Sequence, residues 1–304
     1  MMNHFIQSCS CYRLLAGAYL LLLSAGGLQA QIRAFDNSRA LMPWMYNPAA
    51  ELPTEHSAYM GYDARGNSSV TPHSILAGLR MPVLGETRGR GQRGPSGVVG
   101  LQALNTSQSF ANALTVSLSY AHQLALTDKL KMGVGVGMGI FNFSFDQSQL
   151  VYMDQQDPFF NNGNRLFNLH VQTGIALVAD DRLFLQLAAP DLLRNNRANM
   201  GELVVRTGFV LPLNPQLKLI PALNLDTYNA SLIYGGDLRL EWRNMFSLLA
   251  GADRYKLHGG MQLRYKSMGF GYVYGQNLSG LYNHIESHQI TLQLAAGKNG
   301  RRGG

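Results

Sequence analysis

The sequence predicts an all-β protein, a transmembrane antiparallel up-and-down β-barrel of about 14 strands. Three observations carry this. Apolar side chains recur at every second position through many runs, several of them ten or more residues long. That is the period of a strand, not of a helix. The opposite faces hold mostly Gly, Ser, Thr, Gln and Asn with few charges, a poor exterior for a soluble protein. Charged residues make up only 14% of the chain against 46% hydrophobic, where ordinary soluble domains carry about a quarter charged.

A soluble β-sandwich would bury the apolar face and wet the other, but its strands are usually nearer five or six residues. In an outer-membrane barrel the sense reverses: apolar residues meet lipid and small or polar ones line the lumen. Aromatics gather near strand ends at Tyr120, Phe141, Phe143, Tyr152, Trp242, Tyr265, Tyr272 and Tyr274, which suits interfacial girdles. After Ala30 no stretch of 18 apolar residues occurs, so helical spans are not expected.

The chain opens with a signal peptide over residues 1–30. Arg13 precedes the apolar run "LLAGAYLLLLSAGGLQAQ", and small residues lead to a cut after Ala30. Both cysteines, Cys9 and Cys11, lie inside it. The mature chain therefore has no thiol for catalysis, metal binding or a disulfide. Loss of Arg13 leaves 24 basic residues against 18 acidic ones, with no block of like charge. A diffuse excess of this kind does not single out nucleic acid as a partner.

Residues 31–55 form a non-strand segment. Its core, "MPWMYNPAAELP", is aromatic, proline-rich and without alternation. Exposed to water it would be sticky, so it is expected inside the barrel mouth or against a partner. Trp44, Tyr46, Asn47 and Pro48 are its candidate contacts.

The barrel proper is expected over 56–296, with strands near 56–64, 70–80, 97–104, 110–126, 129–143, 165–179, 182–189, 202–212, 216–226, 230–243, 246–254, 256–266, 268–276 and 287–296. The run "KLKMGVGVGMGIFNFSF" is the clearest. Leu130, Met132, Val134, Val136, Met138 and Ile140 take one face, and Lys131, Gly133, Gly135, Gly137 and Gly139 take the other. In a helix those glycines would each cost about 1 kcal/mol. The bare face implies a thin lumen wall or close packing against an internal segment. Turns are marked by "TDK", "ADDR", "PLNPQ", "WRNM" and "YKSMG", and longer connections by 84–96, 145–164, 190–201 and 276–287. A basic, glycine-rich tail fills 297–304.

Four stretches invite chemical readings. "GVGVGMG" resembles a phosphate loop but lacks the Lys-Ser/Thr pair and sits within a strand. "GETRGRGQRGPSG" sets Arg88, Arg90 and Arg93 among glycines, as a hydrated loop or an anion site. "DQQDPFFNNGN" places Asp154 and Asp157 among amides. A cation is conceivable there, an ordinary turn closed by Asp-Pro suffices, and both residues are candidate partner contacts. "YNHIESHQI" offers His284, Glu286, Ser287 and His288 for a lipase-like site, with His288 expected on the lumen side. Those residues are too close along one chain to form such a site unaided. No catalytic residue, metal site or cofactor is expected.

Several segments resemble the PorP/SprF proteins of the type IX secretion system. "MYNPAA" is similar to that family's Asn-Pro-Ala signature. "YAHQLALTDKLKMGVGVGMGIFNFSFDQSQLVYMDQQDP" resembles its central block, "FNLHVQTGIAL" its next strand, and "GFGYVYGQNLSGLYNHIESHQITLQL" its closing block. Gln289 stands where the family usually has an acid, and "LQLAAGKNGRRGG" lacks a terminal aromatic. The resemblance implies a non-enzymatic integral outer-membrane barrel of Bacteroidetes. Its expected partners are outer-membrane lipid, other secretion components, and cargo C-terminal domains or adhesins. Its expected work is export or surface anchoring of specific cargo, with gliding motility in some lineages. A passive porin or hydrophobic-solute channel is the alternative.

Overall fold

The computed structural model describes residues 35–51, 53, 55–66, 72–83, 97–108, 111–145, 165–192, 202–228, 231–278 and 286–296. Fifteen strand segments follow one another: β1 (His56–Arg65), β2 (His73–Val83), β3 (Gly97–Gln108), β4 (Ala111–Ala125), β5 (Leu130–Phe145), β6 (Arg165–Ala179), β7 (Leu183–Ala189), β8 (Leu203–Phe209), β9 (Leu211–Asn214), β10 (Leu217–Tyr228), β11 (Ser231–Trp242), β12 (Phe246–Asp253), β13 (Lys256–Tyr265), β14 (Met268–Asn277) and β15 (Glu286–Ala296). β8 and β9 both pair with β10 and form one spanning strand, so fourteen strands span. Each pairs antiparallel with its neighbour. The first and last pair from His56↔Ala296 to Arg65↔Ser287, and the ring is closed. Closure removes the open edges whose unpaired N–H and C=O groups would each cost several kcal/mol in lipid.

The break between β8 and β9 has a local cause. Pro221 has no N–H. Its ladder to β11 is intact (Pro221↔Leu238), but the opposite ladder is interrupted between Ala222↔Gly208 and Leu219↔Leu211, where Phe209 and Val210 lie across from Pro221 and Ile220. A proline inside a sheet needs such an irregularity.

Five connections, 126–129, 180–182, 215–216, 243–245 and 266–267, close one end of the barrel, here the turn end. Two of them put consecutive residues in the left-handed region: Asp180 and Asp181 at φ 52° and 53°, and Arg243 and Asn244 at φ 53° and 55°. Each pair is the centre of a tight turn, closed by Arg182 N donating to Ala179 O at 2.9 Å and Met245 N to Trp242 O at 3.0 Å, and positive φ at both central residues matches the twist of the flanking strands. The connections 146–164 and 278–285 lie at the opposite, loop end. Short and long connections do not strictly alternate between the two ends. The connection 84–96 joins β2 to β3 at the turn end, while 109–110, 229–230 and 254–255 are short and lie at the loop end.

The two faces divide as alternation requires. Val134, Val136, Met138 and Ile140 point outward and are 41–59% exposed, whereas Gly133, Gly135 and Gly137 are buried. Tyr62, Phe167, Tyr272 and Tyr274 lie outward toward the loop end, and Trp242 and Tyr265 outward at the turn end. No helix among the described residues is long and apolar enough to cross a membrane. The apolar core is not between sheets. It lies inside the ring, where Phe35, Leu41, Met42, Met45 and Tyr46 pack on Tyr59, Leu76, Leu249 and Val273.

Candidate functional site: a plug docked on a glycine-lined lumen wall

The segment Phe35–Glu51 occupies the lumen. Two 3-10 turns shape it, Asp36–Ser38 and Pro43–Met45. Pro43 opens the second, where a fixed φ and a missing N–H cost nothing. The Tyr46 and Asn47 amides donate to the Pro43 carbonyl at 3.2 and 3.1 Å, and the Ala50 amide to Asn47 O at 2.9 Å. The Asn47 side-chain oxygen accepts the Ala49 amide at 2.9 Å, the local turn Asn favours.

The plug runs from the loop half toward the turn end. The Phe35 amide donates to Asp63 Oδ2 at 2.8 Å. Asn37 Nδ2 donates to Ser287 and Ser38 Oγ to Gln289 Oε1. Arg39 pairs with Asp226, both 8% exposed in their side chains. Arg239 Nη1 donates to Ala40 O at 3.2 Å, and Arg80 Nη1 and Nη2 donate to Glu51 O and Ala50 O at 2.9 and 3.3 Å. The plug is therefore tied to β1, β2, β10, β11 and β15. Around it the wall carries its own pairs: Arg65–Asp63 at 2.9 Å, Arg206–Asp237 at 2.9 Å and Arg239–Glu241 at 3.6 Å. Buried charges persist only when paired like this, and removing one partner is costly.

The glycine run of β5 has its explanation here. A Cβ on Gly135 would stand 2.8 Å from Ala49 N, and one on Gly133 would stand 2.9 Å from Ala49 O. On β6, a Cβ on Gly174 would collide with the Asn47 side chain. Only bare backbone lets the Asn47–Ala50 turn lie against the wall, where Asn47 Nδ2 donates to Ile175 O at 3.0 Å and Leu187 O at 3.4 Å. Of the two expectations for the bare face, close packing against an internal segment is what the structure has.

Of the candidate contacts, Tyr46, Asn47 and Pro48 are buried in the lumen, and Trp44 is partly buried. Trp44 packs on Tyr59 with ring centroids 3.9 Å apart and with Arg80 over its face, and Arg39 lies over the Tyr46 ring. Asp154, Asp157 and His284 lie outside the described residues, as do the expected signal peptide at 1–30, Tyr152, the arginines at 88, 90 and 93, and the tail at 297–304. His288 is a correction. It was expected on the lumen side, but it faces outward, bonded to the Tyr272 hydroxyl at 2.8 Å and beside Tyr274. Residues two apart on a strand share a face, so His288 follows outward Ile290. Ser287 points the other way, into the lumen toward Asn37. The strand holds this serine and histidine on opposite sides of the wall. Among the described residues no cluster of three His, Cys, Asp or Glu could hold a metal ion.

Sequence reading did not single out Asp63, Arg80, Asp226, Gln262 or Arg264. Their signal is a charged or amide residue on the small-residue face of an otherwise apolar strand.

Comparisons with known proteins agree with this geometry. No curated protein sequence matches the chain. Among solved structures, the Pseudomonas putida toluene transporter TodX is similar over 90% of this chain and 96% of its own, with a TM-score of 0.50 and 10% identity. The TodX deltaS2S3 mutant, a monoaromatic hydrocarbon channel, is similar over 82% and 92%, with a TM-score of 0.50 and 10% identity. Likeness at that identity speaks for the barrel fold alone. The family model of the type IX secretion system membrane protein PorP/SprF matches residues 85–294. The match begins after β2, so the plug and the first two strands precede it. With more than half its length matched, the chain belongs to the PorP/SprF family of type IX secretion system membrane proteins.

Proposed function

We propose that this barrel is an integral outer-membrane component of the type IX secretion machinery that works by recognition, assisting export or surface anchoring of particular cargo. Its partners in this reading are outer-membrane lipid on the outside, other secretion components, and cargo C-terminal domains or adhesins at its rims. Gliding motility follows where the cargo is an adhesin. No cofactor, nucleic acid or catalytic step enters.

The filled lumen carries the reading. The wall bonds the plug from seven strands and packs it against the glycines of β5 and β6. A passive channel needs an open path, and this segment lies across it. A closed barrel offers partners its loops and two rims instead. In this proposal Asp154 and Asp157, which lie between β5 and β6 in the sequence, are partner contacts at one rim, and Trp44, toward the turn-end mouth, at the other. Tyr46, Asn47 and Pro48 act in this proposal as internal contacts that keep the plug seated.

Deletion of the gene is expected to remove particular large proteins from the cell surface while other exports continue. Unchanged display would contradict the role. The porin alternative is separated by single-channel recording in a planar bilayer: the plugged barrel gives no steady conductance, and stable ohmic channels would favour the porin.

A further inference from the structure

We propose that two neighbouring hairpins at the turn end hold the phosphate of an anionic glycerophospholipid against the outer wall. The connections 243–245 and 266–267 share one pattern, "WRNM" and "YKSM": an aromatic, a cation, a polar residue and a methionine. Trp242 and Tyr265 face outward, 46% and 64% exposed, and Met245 and Met268 are exposed beside them. The Arg243 guanidinium lies over the Trp242 ring at 5.1 Å, and the Lys266 ammonium over the Tyr265 ring at 5.2 Å. The Arg264 amide donates to Met245 O at 2.6 Å, so the two hairpins sit side by side. The strands that carry the two rings, β11 and β13, are two spacings apart, about 10 Å.

Turn chemistry does not explain the cations. Arg243 and Lys266 take positive φ, 53° and 52°, at the first central position of their turns. Asparagine or glycine suits that position, and other side chains adopt it at a cost. The hairpin at 180–182 shows the contrast. It holds acids there, and Asp180 and Asp181 pair with Lys129 and Lys131 at 3.8 and 2.7 Å. Arg243 and Lys266 have no acidic partner among the described residues. Of its guanidinium, Arg243 spends only Nε, on Gln216 Oε1 at 2.9 Å. Each cation instead leans over a ring on the lipid-facing side, which sets unspent positive charge at the level of the aromatic girdle. Where the acyl region ends, the group of opposite charge is a headgroup phosphate. Leu248, Leu263 and Phe270 continue the outward face below the hairpins and are exposed to meet its chains. Short turns mark the periplasmic side of such barrels, where the leaflet is glycerophospholipid. A headgroup whose own ammonium balances its phosphate is held less well, so the site favours net anionic lipid. An acidic protein would meet the rim, whereas these cations sit on outward rings. The proposal rests on the outer-membrane reading for the presence of the lipid.

The chain has two tryptophans, Trp44 and Trp242. Trp44→Phe leaves Trp242 as a fluorescent reporter beside Arg243. The full chain is placed in phosphatidylcholine vesicles that carry a small fraction of phosphatidylglycerol brominated on its acyl chains or, in parallel, the same fraction of brominated phosphatidylcholine. Quenching of Trp242 reports which lipid stands at the hairpin. A cation near an anionic lipid contributes about fivefold in affinity, so two should prefer phosphatidylglycerol about twentyfold. Arg243→Gln or Lys266→Gln should each cut the preference about fivefold, and the double variant should abolish it. Lys129→Gln with Lys131→Gln, an equal change of charge in the β4–β7 sector, should leave it unchanged. Equal quenching by the two lipids, a preference kept by the double variant, or an equal loss in the Lys129 and Lys131 control overturns the proposal. Should a variant fail to assemble, salt decides on the parent. At about 1 M, screening within about 3 Å should erase most of the preference, and an undiminished preference overturns the proposal. Quenching that ignores the headgroup overturns it too but leaves the outer-membrane reading standing, because Trp242 still lies in lipid.

Discussion

Gly135→Val should unseat the plug without harming the strand that carries it. Valine suits a strand, so β5 loses nothing locally. The new Cβ, however, would stand 2.8 Å from Ala49 N and 3.0 Å from the Pro48 carbonyl carbon. Those atoms are backbone, so no side chain can rotate away and the Asn47–Ala50 turn must lift. Lifting breaks the Asn47 bonds to Ile175 O and Leu187 O, each worth about 1 kcal/mol, and overpacking adds about 1–3 kcal/mol. A total of about 3 kcal/mol changes the docked-to-released ratio about a hundredfold. Met45→Cys supplies the assay. Met45 is buried at 7% exposure, its replacement is smaller, and the only native cysteines are Cys9 and Cys11, within the expected signal peptide. Labelling of that cysteine by a water-soluble maleimide should be slow in the parent barrel and about a hundredfold faster with Gly135→Val. Gly259→Val is the control, because a Cβ there meets only Leu249 O at 3.6 Å. Equal protection in the Gly135→Val barrel would refute the docking account.

Asn47→Ala should speed the same labelling about tenfold, through loss of two donated bonds and one accepted bond. Unchanged labelling would leave this side chain without a role. Asp226→Ala removes the carboxylate paired with buried Arg39 and should cost about 1.5–3 kcal/mol, read as a lower unfolding temperature in the gel shift of heated barrels. The double variant with Arg39→Ala should recover most of it. Val136→Arg places a charge on the outward face at mid-strand and should destabilise the barrel by about 2–4 kcal/mol in lipid vesicles, measured by urea unfolding.

The strands were legible because the signal for each is local. All fourteen expected spans have their counterpart, and the clearest, "KLKMGVGVGMGIFNFSF", became β5 with its glycines inward. Turn chemistry was legible too, since "ADDR" and "WRNM" supply the left-handed residues their hairpins need. The contents of the lumen were not. Arg39 meets Asp226 across 187 residues, and Asn47 meets the carbonyls of Ile175 and Leu187 across 128 and 140. No periodicity records such partners. The glycine face announced a close approach without naming what approaches. The break at Val210 was hidden because a proline's missing donor matters on only one of its two ladders. His288 was misplaced by a slip of one position, the shift that moves a side chain through the wall of a sheet.

The central claim is that the oily face meets acyl chains while the lumen holds the plug, and the two tryptophans test it most directly. Trp242 is outward and 46% exposed, whereas Trp44 packs against Tyr59 inside. In vesicles of lipids brominated on their acyl chains, the Trp44→Phe barrel, which retains Trp242, should be strongly quenched. The Trp242→Phe barrel, which retains Trp44, should keep its emission. Equal quenching of both, or quenching of Trp44 alone, would contradict the account.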